Sequence, residues 1–410
     1  MDLSMLNRKE LLEKCTEAGI SKCSSKNKSQ LIELISNVSM SPPNTSESVD
    51  VTDTIATFKK GDAKPAAGAS LGDATPNATP NATPIAKPAE NTLNVIDLFC
   101  GCGGMSKGLT DAGLNVVAGI DVWDKAVESY NKNFTHKAYC EDLTKFPPEK
   151  FNELYNPDNK SIDIVVGGPP CQSFSIAGKR DKNDPRNTLF MEYVKYLDYF
   201  KPKAFIMENV IGMLSKKTDT GEKVIDIIME QLNRNYNCLI NKLYASDFEV
   251  PQNRRRTIII GIRKDLHITP TKPMQVIKAV EDRIPVKNIL QDKESVDASH
   301  YLSERAIQGI INKKIKSKER GAGFGAQFLD INKPSYTIPA RYWKDGYDAL
   351  VKYNETEIRR LSILELKRIQ SFPDDFELVG SKKDVIMQIG NAVASRFAYH
   401  LGKYIINTLQ

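Results

Sequence analysis

Cys171 is the residue whose surroundings most favour covalent chemistry in this sequence. It lies in GGPPCQSFS, residues 167–175, directly after the mainly apolar run 162–166. Proline fixes φ and removes a backbone donor, so Pro169 and Pro170 are expected to hold the thiol in a rigid mount. A cysteine held in this way is a candidate nucleophile, because its thiolate can form a covalent intermediate that divides one difficult step into two easier ones.

Two polar clusters follow other apolar runs and supply groups that a nucleophilic thiol needs. Glu208 and Asn209 come after AFIM, and PQNRRRTIII carries Gln252, Arg254 and Arg256. A free thiol with a pKa of about 8.5 is only a few per cent ionised at neutral pH. A nearby cation would help to activate it, and the two arginines are the candidates. Each cluster also has an interpretation without a catalytic role. Cys171 would then be a buried structural thiol, Glu208 and Asn209 would form a cap, and the basic stretch would be an exposed hairpin.

A glycine turn in DLFCGCGGMSKGL is a candidate cofactor site. Gly101, Gly103 and Gly104 lead into a helix, where backbone N–H groups and the helix N-terminus can approach a ligand. The spacing G-x-G-G differs from G-x-G-x-x-G and disfavours a nicotinamide cofactor. Asp121 ends the next apolar run, placed to accept hydrogen bonds from ribose hydroxyls, and Trp123 offers a flat face to an adenine. These residues therefore favour a cofactor that contains a nucleoside. Without a cofactor, Asp121 would be a surface residue and Trp123 would serve in packing.

The elements that precede these residues are expected to bring them together. From residue 93, short apolar segments alternate with helical patterns, from LNVIDLF through VVAGID, IDIVVGG and AFIMENV to RRTIIIGIR. This alternation predicts an α/β fold with a doubly wound, mainly parallel sheet. Ligands of such sheets bind beyond the carboxyl ends of the strands, so the glycine turn and the polar clusters should converge on one mouth of the sheet.

Residues 1–38 and 39–92 are expected to lie outside this sheet. In 1–38, leucines and isoleucines at helical spacing in LNRKELLEK and KNKSQLIELI predict a helical hairpin. The hairpin resembles a SAP module, a helical unit that attaches proteins to DNA, and the alternative is a hairpin that makes protein contacts. Residues 39–92 contain SPPNTSES and ATPNATPNATP with few large apolar side chains, which predicts a disordered linker.

The composition disfavours several classes of protein. The 410 residues are 40% hydrophobic and 26% charged. No apolar run approaches the roughly 18 residues of a membrane span. Seven cysteines without a CxxC pair, and only four histidines, argue against a disulfide framework and a zinc site. The net charge of +6 permits a polyanionic partner. We expect an intracellular, monomeric protein that binds no metal and no membrane.

Six motifs, in order, resemble those of the cytosine C5 DNA methyltransferases over about residues 93–410. They are DLFCGCGG, the Pro-Cys motif GGPPCQSFS, MENV, QNRRR, RRLSILELKRIQSFP and QIGNAVA. Cys100 and Cys102 depart from the family pattern, because small or apolar residues are usual at these turn positions. The resemblance implies a Rossmann-like methyltransferase fold with an inserted target-recognition domain. The implied divisions are a catalytic domain at 93–262, the insertion at 263–374 and a C-terminal return at 375–410.

The resemblance also implies the catalytic roles. Cys171 would add to C6 of a cytosine, which turns the ring into an enamine whose C5 attacks a methyl sulfonium. Glu208 would hold the base through N3 and the exocyclic amine, and a proton on N3 makes C6 more electrophilic. Asn209 would position this loop, and Arg254 and Arg256 would help to activate the thiol. Because C5 lies inside the duplex stack, the base must first be flipped out.

The cofactor that the resemblance implies is S-adenosylmethionine. The corresponding residues form the turn around its methionine part, the contacts to its ribose and adenine, and the rest of the pocket. They are Phe99, Gly101, Cys102 and Gly104 in the first group, Asp121, Trp123, Asp142 and Leu143 in the second, and Pro170, Leu189, Asn391 and Ala392 in the third. The last two lie far along the chain and are expected to fold back beside the turn.

The insertion is where this family recognises a DNA sequence. Basic residues in INKKIKSKER, residues 311–320, are expected to contact phosphates, and a solvated lysine-rich helix is the alternative. GAGFGAQF and YTIPARYWKDG are candidate groove loops, in which Arg341, Tyr342 and Trp343 would supply base-edge and stacking contacts. Gln252 is also expected at the DNA. The partner that these features imply is double-stranded DNA.

Two other functions remain as alternatives. One branch of the same family methylates tRNA with the same catalytic motifs, and the sizeable insertion and the SAP-like hairpin favour DNA over tRNA. A catalytically silent DNA-binding relative is disfavoured because Cys171, Glu208 and both arginines are present. The motifs do not distinguish a restriction-modification role from a solitary one.

Overall fold

The structure is a computed structural model that describes residues 8–18, 30–32, 35, 92–170, 188–218, 221–319, 326–344 and 346–410. Two compact units divide the chain, Met1–Ala82 and Thr83–Gln410. Three of the sequence predictions fall mostly or wholly outside the described residues. These are the linker, except for its last residue, the nucleophile Cys171 with the residues that follow it to position 187, and the candidate groove loop GAGFGAQF as far as position 325.

The first unit contains helix α1 (Arg8–Glu17) and a small set of buried apolar side chains. Leu11 and Cys15 of α1 are fully buried, and Leu31 and Ile35 are buried as well. Each pair is spaced by four residues, the spacing that puts two side chains on one face of a helix. This burial supports the predicted hairpin, whereas its SAP-like identity stays a prediction.

The second unit is built on a seven-stranded sheet that is mainly parallel, as predicted. Its strands are β1 (Asn94–Leu98), β2 (Asn115–Asp121), β3 (Lys137–Cys140), β4 (Ile164–Gly167), β5 (Ala204–Val210), β6 (Tyr236–Tyr244) and β7 (Arg255–Arg263). Their order is β3-β2-β1-β4-β5-β7-β6, and β7 runs antiparallel to both of its neighbours. The order reverses between β1 and β4, and α/β sheets bind ligands in the crevice at such a reversal.

Helices cover both faces of this sheet. The α-helices of the second unit are α2 (Gly104–Ala112), α3 (Asp124–Asn133), α4 (Pro148–Tyr155), α5 (Thr188–Phe200), α6 (Val224–Leu232), α7 (Glu304–Glu319), α8 (Ile363–Ile369), α9 (Lys382–Asn391) and α10 (Ser395–Leu409). Successive strand residues point to opposite faces, so Ile96 of β1 packs in the cluster with α4 to α6, and Val95 packs with α2 and α10. Burial on both faces explains the near-continuous apolar runs. Among the described residues, no helix is both long and apolar enough to cross a membrane.

The chain between β7 and α10 builds a separate, smaller core, which we call the small core. It contains a hairpin of β8 (Leu350–Lys352) and β9 (Ile358–Arg360), together with α7, α8 and α9. Val286, Ile338 and Leu366 share an apolar cluster with Ile389 of α9, whereas α10 packs on the large sheet. The predicted domain division stays a prediction, and this packing favours placing the return to the large sheet at α10.

A strap of chain, residues 264–283, leads from the end of β7 to the small core, and Asp247 fixes it. Asp247 is buried in the turn after β6, and its carboxylate accepts hydrogen bonds from Gln275 and Arg283. Its backbone carbonyl accepts two more, from the N–H groups of residues 276 and 277. Because β7 is antiparallel to β5, it ends at the side of the sheet opposite to the mouth, and the strap returns the chain to the mouth.

Gly108 lies where α2 and α10 pack most closely. A Cβ at this position would lie 2.5 Å from the backbone nitrogen of Tyr399 and 2.6 Å from the Cβ of Ala398. We expect Gly108→Ala to destabilise the protein by about 1–3 kcal/mol, because the added methyl group overpacks this contact. Gly309→Ala is the control, since no described atom outside its own helix backbone and chain neighbours lies within 4 Å of a Cβ there.

Alanine at position 309 is expected to stabilise α7 by about 0.5–1 kcal/mol, because glycine loses more backbone entropy in a helix. Urea unfolding of the two variants measures the difference between the two free energies of unfolding. Equal effects of the two substitutions would show that α2 and α10 do not approach as closely as the structure has them.

Candidate active site

Glu208 and Arg256 form an ion pair at the mouth of the sheet. Arg256 Nε lies 2.7 Å from Glu208 Oε1, and each side chain is 12% exposed. The antiparallel register explains the pair, since Arg256 at the start of β7 is paired with Val210, two residues beyond Glu208 on the same face of β5. The Glu-Asn and arginine clusters, which are 48 positions apart in the chain (208 and 256), therefore meet here.

Asn209 ties the segment before Cys171 to β5. Its Nδ2 donates a hydrogen bond of 2.9 Å to the carbonyl of Pro169, and Asn209 and Pro169 are both buried. A Cβ at Gly168 would lie 3.4 Å from Glu208 Oε2, so the start of the Pro-Cys motif passes directly beside the carboxylate. Pro170, the last described residue before Cys171, is exposed. The described part of this motif is thus held beside the Glu208–Arg256 pair.

Arg254 and Gln252 are more deeply buried than Arg256. Arg254 is 3% exposed and donates hydrogen bonds to the carbonyls of Gly390 and Ile338. Burial and, to a smaller extent, the nearby Arg256 lower the pKa of Arg254 to about 9, against the opposing effect of Glu208. Gln252 is fully buried. The roles predicted for these two residues stay predictions, and Arg256 is the arginine that the structure presents at the mouth.

The glycine turn between β1 and α2 is braced by Asp121. Its carboxylate accepts hydrogen bonds from the backbone N–H of Gly101 at 2.8 Å and of Trp123 at 2.9 Å. Phe99, Gly101 and Gly103 all have positive φ, a conformation that costs energy for the phenylalanine. A Cβ at Gly101 would meet no described atom within 4 Å, so there is open space above the turn. Burial raises the pKa of Asp121, and its backbone hydrogen bonds oppose this shift.

Beneath the turn lies a buried hydrogen-bonded chain. Ser106 Oγ donates to Asp97 Oδ2 at 2.7 Å, and the hydroxyl of Tyr130 donates to Ser106 Oγ at 2.8 Å. Burial raises the pKa of Asp97 to about 7, the hydrogen bond from Ser106 opposes the shift, and the Asp121 carboxylate adds to it. The carboxyl group of Asp97 is therefore poised between its neutral and ionised forms near neutral pH.

Asp97→Asn is expected to reduce the pH dependence of the free energy of unfolding. The pKa of Asp97 is about 7 in the folded protein and about 3.9 in the unfolded chain. Its contribution to stability is therefore complete below about pH 4 and is lost as the pH rises to 7. Asparagine cannot ionise and does not lose this contribution.

Urea unfolding at several pH values from 4 to 8 measures the effect, with Asp111→Asn as the control because Asp111 forms only an exposed pair with Lys107. Parallel curves for wild type and Asp97→Asn would contradict the raised pKa.

The start of α2 lies against the loop after α9, which brings Asn391 and Ala392 to the glycine turn. A Cβ at Gly104 would lie 3.2 Å from the Cβ of Ala392 and would clash with the carbonyl of Val393. Cys102 is 1% exposed, and burial raises the pKa of its thiol to about 12. Cys102 thus offers its backbone, rather than a thiolate, to a ligand at the turn.

The structure also describes the other predicted pocket residues, whose cofactor contacts stay predictions. Asp142 and Leu143 follow β3, whose Cys140 is paired with Asp121 of β2. Asp142 accepts hydrogen bonds from the backbone and the hydroxyl of Thr144, and Leu143 is buried. Leu189 is half-buried at the start of α5, and Asn391 is exposed. Open space over a glycine turn, a helix N-terminus, a carboxylate and an aromatic ring at adjacent strand ends are groups that fit a nucleoside cofactor. Among the described residues, no three His, Cys, Asp or Glu side chains are grouped to hold a metal ion.

Val122 is a candidate cofactor contact that the sequence prediction missed. It lies between Asp121 and Trp123, and 69% of it is exposed although it is apolar. The sequence did contain a signal for Val122. It is an apolar residue that directly follows the last residue of a parallel strand, between two predicted cofactor contacts. Its exposed side chain offers apolar surface beside Asp121.

The segment ARYW, residues 340–343, forms a short 3-10 turn in which Tyr342 is buried, whereas Arg341 and Trp343 are exposed. Tyr342 is buried, and its hydroxyl donates to the Ala349 carbonyl and accepts from the Leu361 N–H. Its predicted DNA contact therefore does not fit its position. Arg341 is 57% exposed and pairs with Asp348.

Trp343 is the exposed aromatic residue of this turn. Its ring is 38% exposed, and the ammonium groups of Lys383 and Lys344 lie 4.9 Å and 5.8 Å from the ring centre. A cationic, aromatic surface of this kind suits a nucleic acid, because it joins phosphate attraction to a stacking face.

The fold and the site together define an α/β protein that carries a glycine turn and a carboxylate–guanidinium pair at the same edge of its sheet. Comparison with known proteins agrees. The family of C-5 cytosine-specific DNA methylases matches residues 93–407, and the chain belongs to this family.

Relatives and solved structures support the same conclusion. The Type II methyltransferase M.SsoII of Shigella sonnei is 33% identical over 322 residues, which are 77% of this chain and 80% of that protein. M.DdeI of Desulfomicrobium norvegicum is 37% identical over 378 residues, 76% of this chain and 88% of that protein. The structure of a Spodoptera frugiperda DNMT2 mutant has a TM-score of 0.60 at 21% identity, over 77% of this chain and all of that one, which shows a shared fold.

Proposed function

We propose that the protein is an S-adenosylmethionine-dependent DNA (cytosine-5-)-methyltransferase that acts on a flipped-out cytosine in a specific duplex site. The observation that carries this proposal is the Glu208–Arg256 pair beside the Asn209–Pro169 hydrogen bond. In a member of this family, that arrangement puts a base-binding carboxyl group next to the segment that ends in Cys171. The enzyme then acts inside the cell, where it meets DNA, and as a monomer.

Cys171 is the nucleophile in this proposal. Its sulfur forms a bond to C6, and the C5–C6 electron pair shifts so that C5 becomes nucleophilic. The cofactor, when bound, would supply the methyl group that C5 accepts and would keep its sulfur as a neutral thioether. A base, which water can provide, then removes the C5 proton as the C6–S bond breaks. Pro169 and Pro170, which precede Cys171, would hold its sulfur in line with C6.

Glu208 positions the base and provides a proton. A carboxyl group shares its proton with N3 and accepts a hydrogen bond from the exocyclic amine, and this proton makes C6 a better electrophile. Arg256 Nε lies 2.7 Å from Glu208 Oε1 and orients the carboxyl group at the mouth of the sheet. In this proposal the carboxyl group turns from Arg256 to the base when the base enters.

The cofactor would lie over the glycine turn, with Asp121 at its ribose and Val122 and Trp123 at its adenine. Phe99, Gly101 and Gly104 would surround the methionine part, and Asn391 and Ala392 would close the side formed by α9. These roles follow from the family pattern and from the open space over Gly101. Asp142, Leu143, Pro170 and Leu189 would complete the pocket, and Cys102 would serve through its backbone.

The small core would bind DNA through Arg341 and Trp343. Lys344 and Lys383 beside the ring would neutralise phosphates, and the basic face of α7 would add further phosphate contacts. Such contacts must offset the few kcal/mol that base flipping costs.

Incubation with tritiated S-adenosylmethionine and either duplex DNA or tRNA tests the proposal. We expect label in DNA at cytosine C5. Label only in tRNA would contradict the proposed substrate, and label in neither would favour a silent DNA-binding relative. Bisulfite sequencing of DNA from cells that express the protein then gives the target site.

A further inference from the structure

Two fully buried glutamines form a hydrogen-bonded chain between segments that are far apart in sequence. The Ile338 N–H donates to Gln252 Oε1 at 3.0 Å, and Gln252 Nε2 donates to Gln370 Oε1, also at 3.0 Å. Gln370 Nε2 then donates to the carbonyls of Ile389 at 2.7 Å and Ala392 at 3.3 Å. A backbone N–H at one end and carbonyls at the other fix the direction of both amides.

Arg254 makes a second, parallel bridge. Its guanidinium donates to the carbonyl of Ile338 at 3.5 Å and to that of Gly390 at 3.1 Å. Both polar backbone groups of Ile338 are therefore tied to the end of α9, the N–H through the glutamines and the carbonyl through Arg254. The Arg254 Nε has no hydrogen-bond partner among the described groups, so this cation is held mainly by backbone carbonyls.

The segments joined by the two bridges also touch directly. A Cβ at Gly390 would lie 2.5 Å from the nitrogen and 2.6 Å from the Cα of Ala340, and 2.7 Å from the carbonyl carbon of Pro339. We call residues 389–392, at the end of α9, the cofactor segment and residues 338–343 the recognition segment. Only glycine allows their backbones to come this close, and with the bridges they form one packed unit.

We propose that these bridges couple cofactor binding to DNA binding, with Gln252, Gln370 and Arg254 as positioning residues. The inference rests on the proposed function, because it takes Asn391 and Ala392 to contact the cofactor and Arg341 and Trp343 to contact DNA. A buried amide that loses its partner costs about 1–3 kcal/mol. Movement of one segment without the other would break these hydrogen bonds, so we expect the two segments to move together. A ligand that orders one segment orders the other, and the effect is reciprocal.

Gln370→Met is the variant that tests the coupling. Methionine has a similar length and volume but no amide, so it breaks the chain and keeps the core filled. The measurement is the Kd for a duplex that carries the target site, with and without S-adenosylhomocysteine. We expect the wild-type protein to bind DNA about 5-fold or more tightly with S-adenosylhomocysteine, as is typical of coupled sites, and the ratio to fall towards 1 in the variant.

Gln388→Met is the matched control. Gln388 is a buried glutamine of α9, and its side chain donates to the carbonyl of Val379, which lies outside both segments. A purely structural loss lowers the melting temperature of either variant and leaves the ratio of the two DNA affinities as in wild type. Only loss of the bridge changes the ratio.

Hydrogen exchange of the wild-type protein gives a second test that needs no variant. We expect S-adenosylhomocysteine alone to slow exchange of the amides in the recognition segment, and no change there would overturn the coupling. Gln252→Met replaces Gln370→Met if the latter does not fold. A wild-type protein that methylates no DNA contradicts the proposed function itself. A wild-type protein that methylates DNA, with the same affinity ratio in Gln370→Met, contradicts only the coupling.

Discussion

Replacing Cys171 by serine is expected to reduce methyl transfer to duplex DNA by about 10³-fold or more, with no change in the affinity for S-adenosylhomocysteine. Serine keeps nearly the same size, but its hydroxyl ionises far less readily than a thiol, so addition to C6 is lost. The proposed cofactor site lies over the glycine turn, which this substitution does not alter. Filter binding of tritiated DNA measures the rate, and calorimetric titration measures the affinity.

A duplex with 5-fluorocytosine at the target position gives an independent readout. Fluorine at C5 cannot be removed as a proton, so the wild-type protein is expected to stay attached to the DNA after methyl transfer, whereas the serine variant is not. Cys238→Ser is the control, because Cys238 lies half-buried in β6 with a pKa that burial raises to about 12. It should form the adduct as wild type does, and a Cys171→Ser protein that still turned over normally would refute the assignment.

Replacing Glu208 by glutamine is expected to lower kcat by about 10²- to 10⁴-fold, the usual contribution of a positioned acid. Glutamine fills the same space beside Gly168 and can still hydrogen-bond the base, but it cannot place a proton on N3. It also leaves Arg256 without its carboxylate. Single-turnover rates across a range of pH separate the lost proton transfer from weaker binding, and the affinity for S-adenosylhomocysteine should not change.

Glu249→Gln is the matched control for this variant. Glu249 also accepts a hydrogen bond from an arginine, Arg396, and one from His400, but it lies in the turn after β6 against α10 and is about one-third exposed. Loss of this pair should lower stability slightly and leave kcat unchanged. If both variants lose activity to the same extent, Glu208 acts through stability and not through the base.

The site residues that could be predicted from sequence are those at or beside the end of an apolar strand. Glu208 lies near the end of β5, Arg256 lies near the start of β7, and the glycine turn follows β1. The geometry of the sheet therefore brings all three to one mouth. The mainly parallel sheet follows from the same alternation of strands and helices. Asp121 was placed correctly at a strand end, but its hydrogen bonds to the turn depend on backbone direction, which the pattern does not contain.

The depth of a polar residue could not be predicted in the same way. Gln252, Arg254 and Tyr342 stand in polar, basic or aromatic stretches that favour an exposed surface, yet all are buried. Their partners are mainly backbone groups of segments more than 80 positions away for the first two, such as Ile338 and Gly390. Only the packing of the small core against the large sheet determines those contacts.

Asp247 is buried and holds the strap through its hydrogen bonds. The strap therefore divides the chain into two parts that we expect to tolerate changes of length differently. β5, β7 and the turn after β6 precede the strap and carry the proposed reaction centre. Because the pair of Asp247 and Arg283 anchors the strap, we expect a change of length within residues 284–337 to disturb Glu208 and Arg256 less than a change within the strap. In the proposed enzyme, the anchored strap would therefore let the DNA-recognising part change in length during evolution while the reaction centre stays the same.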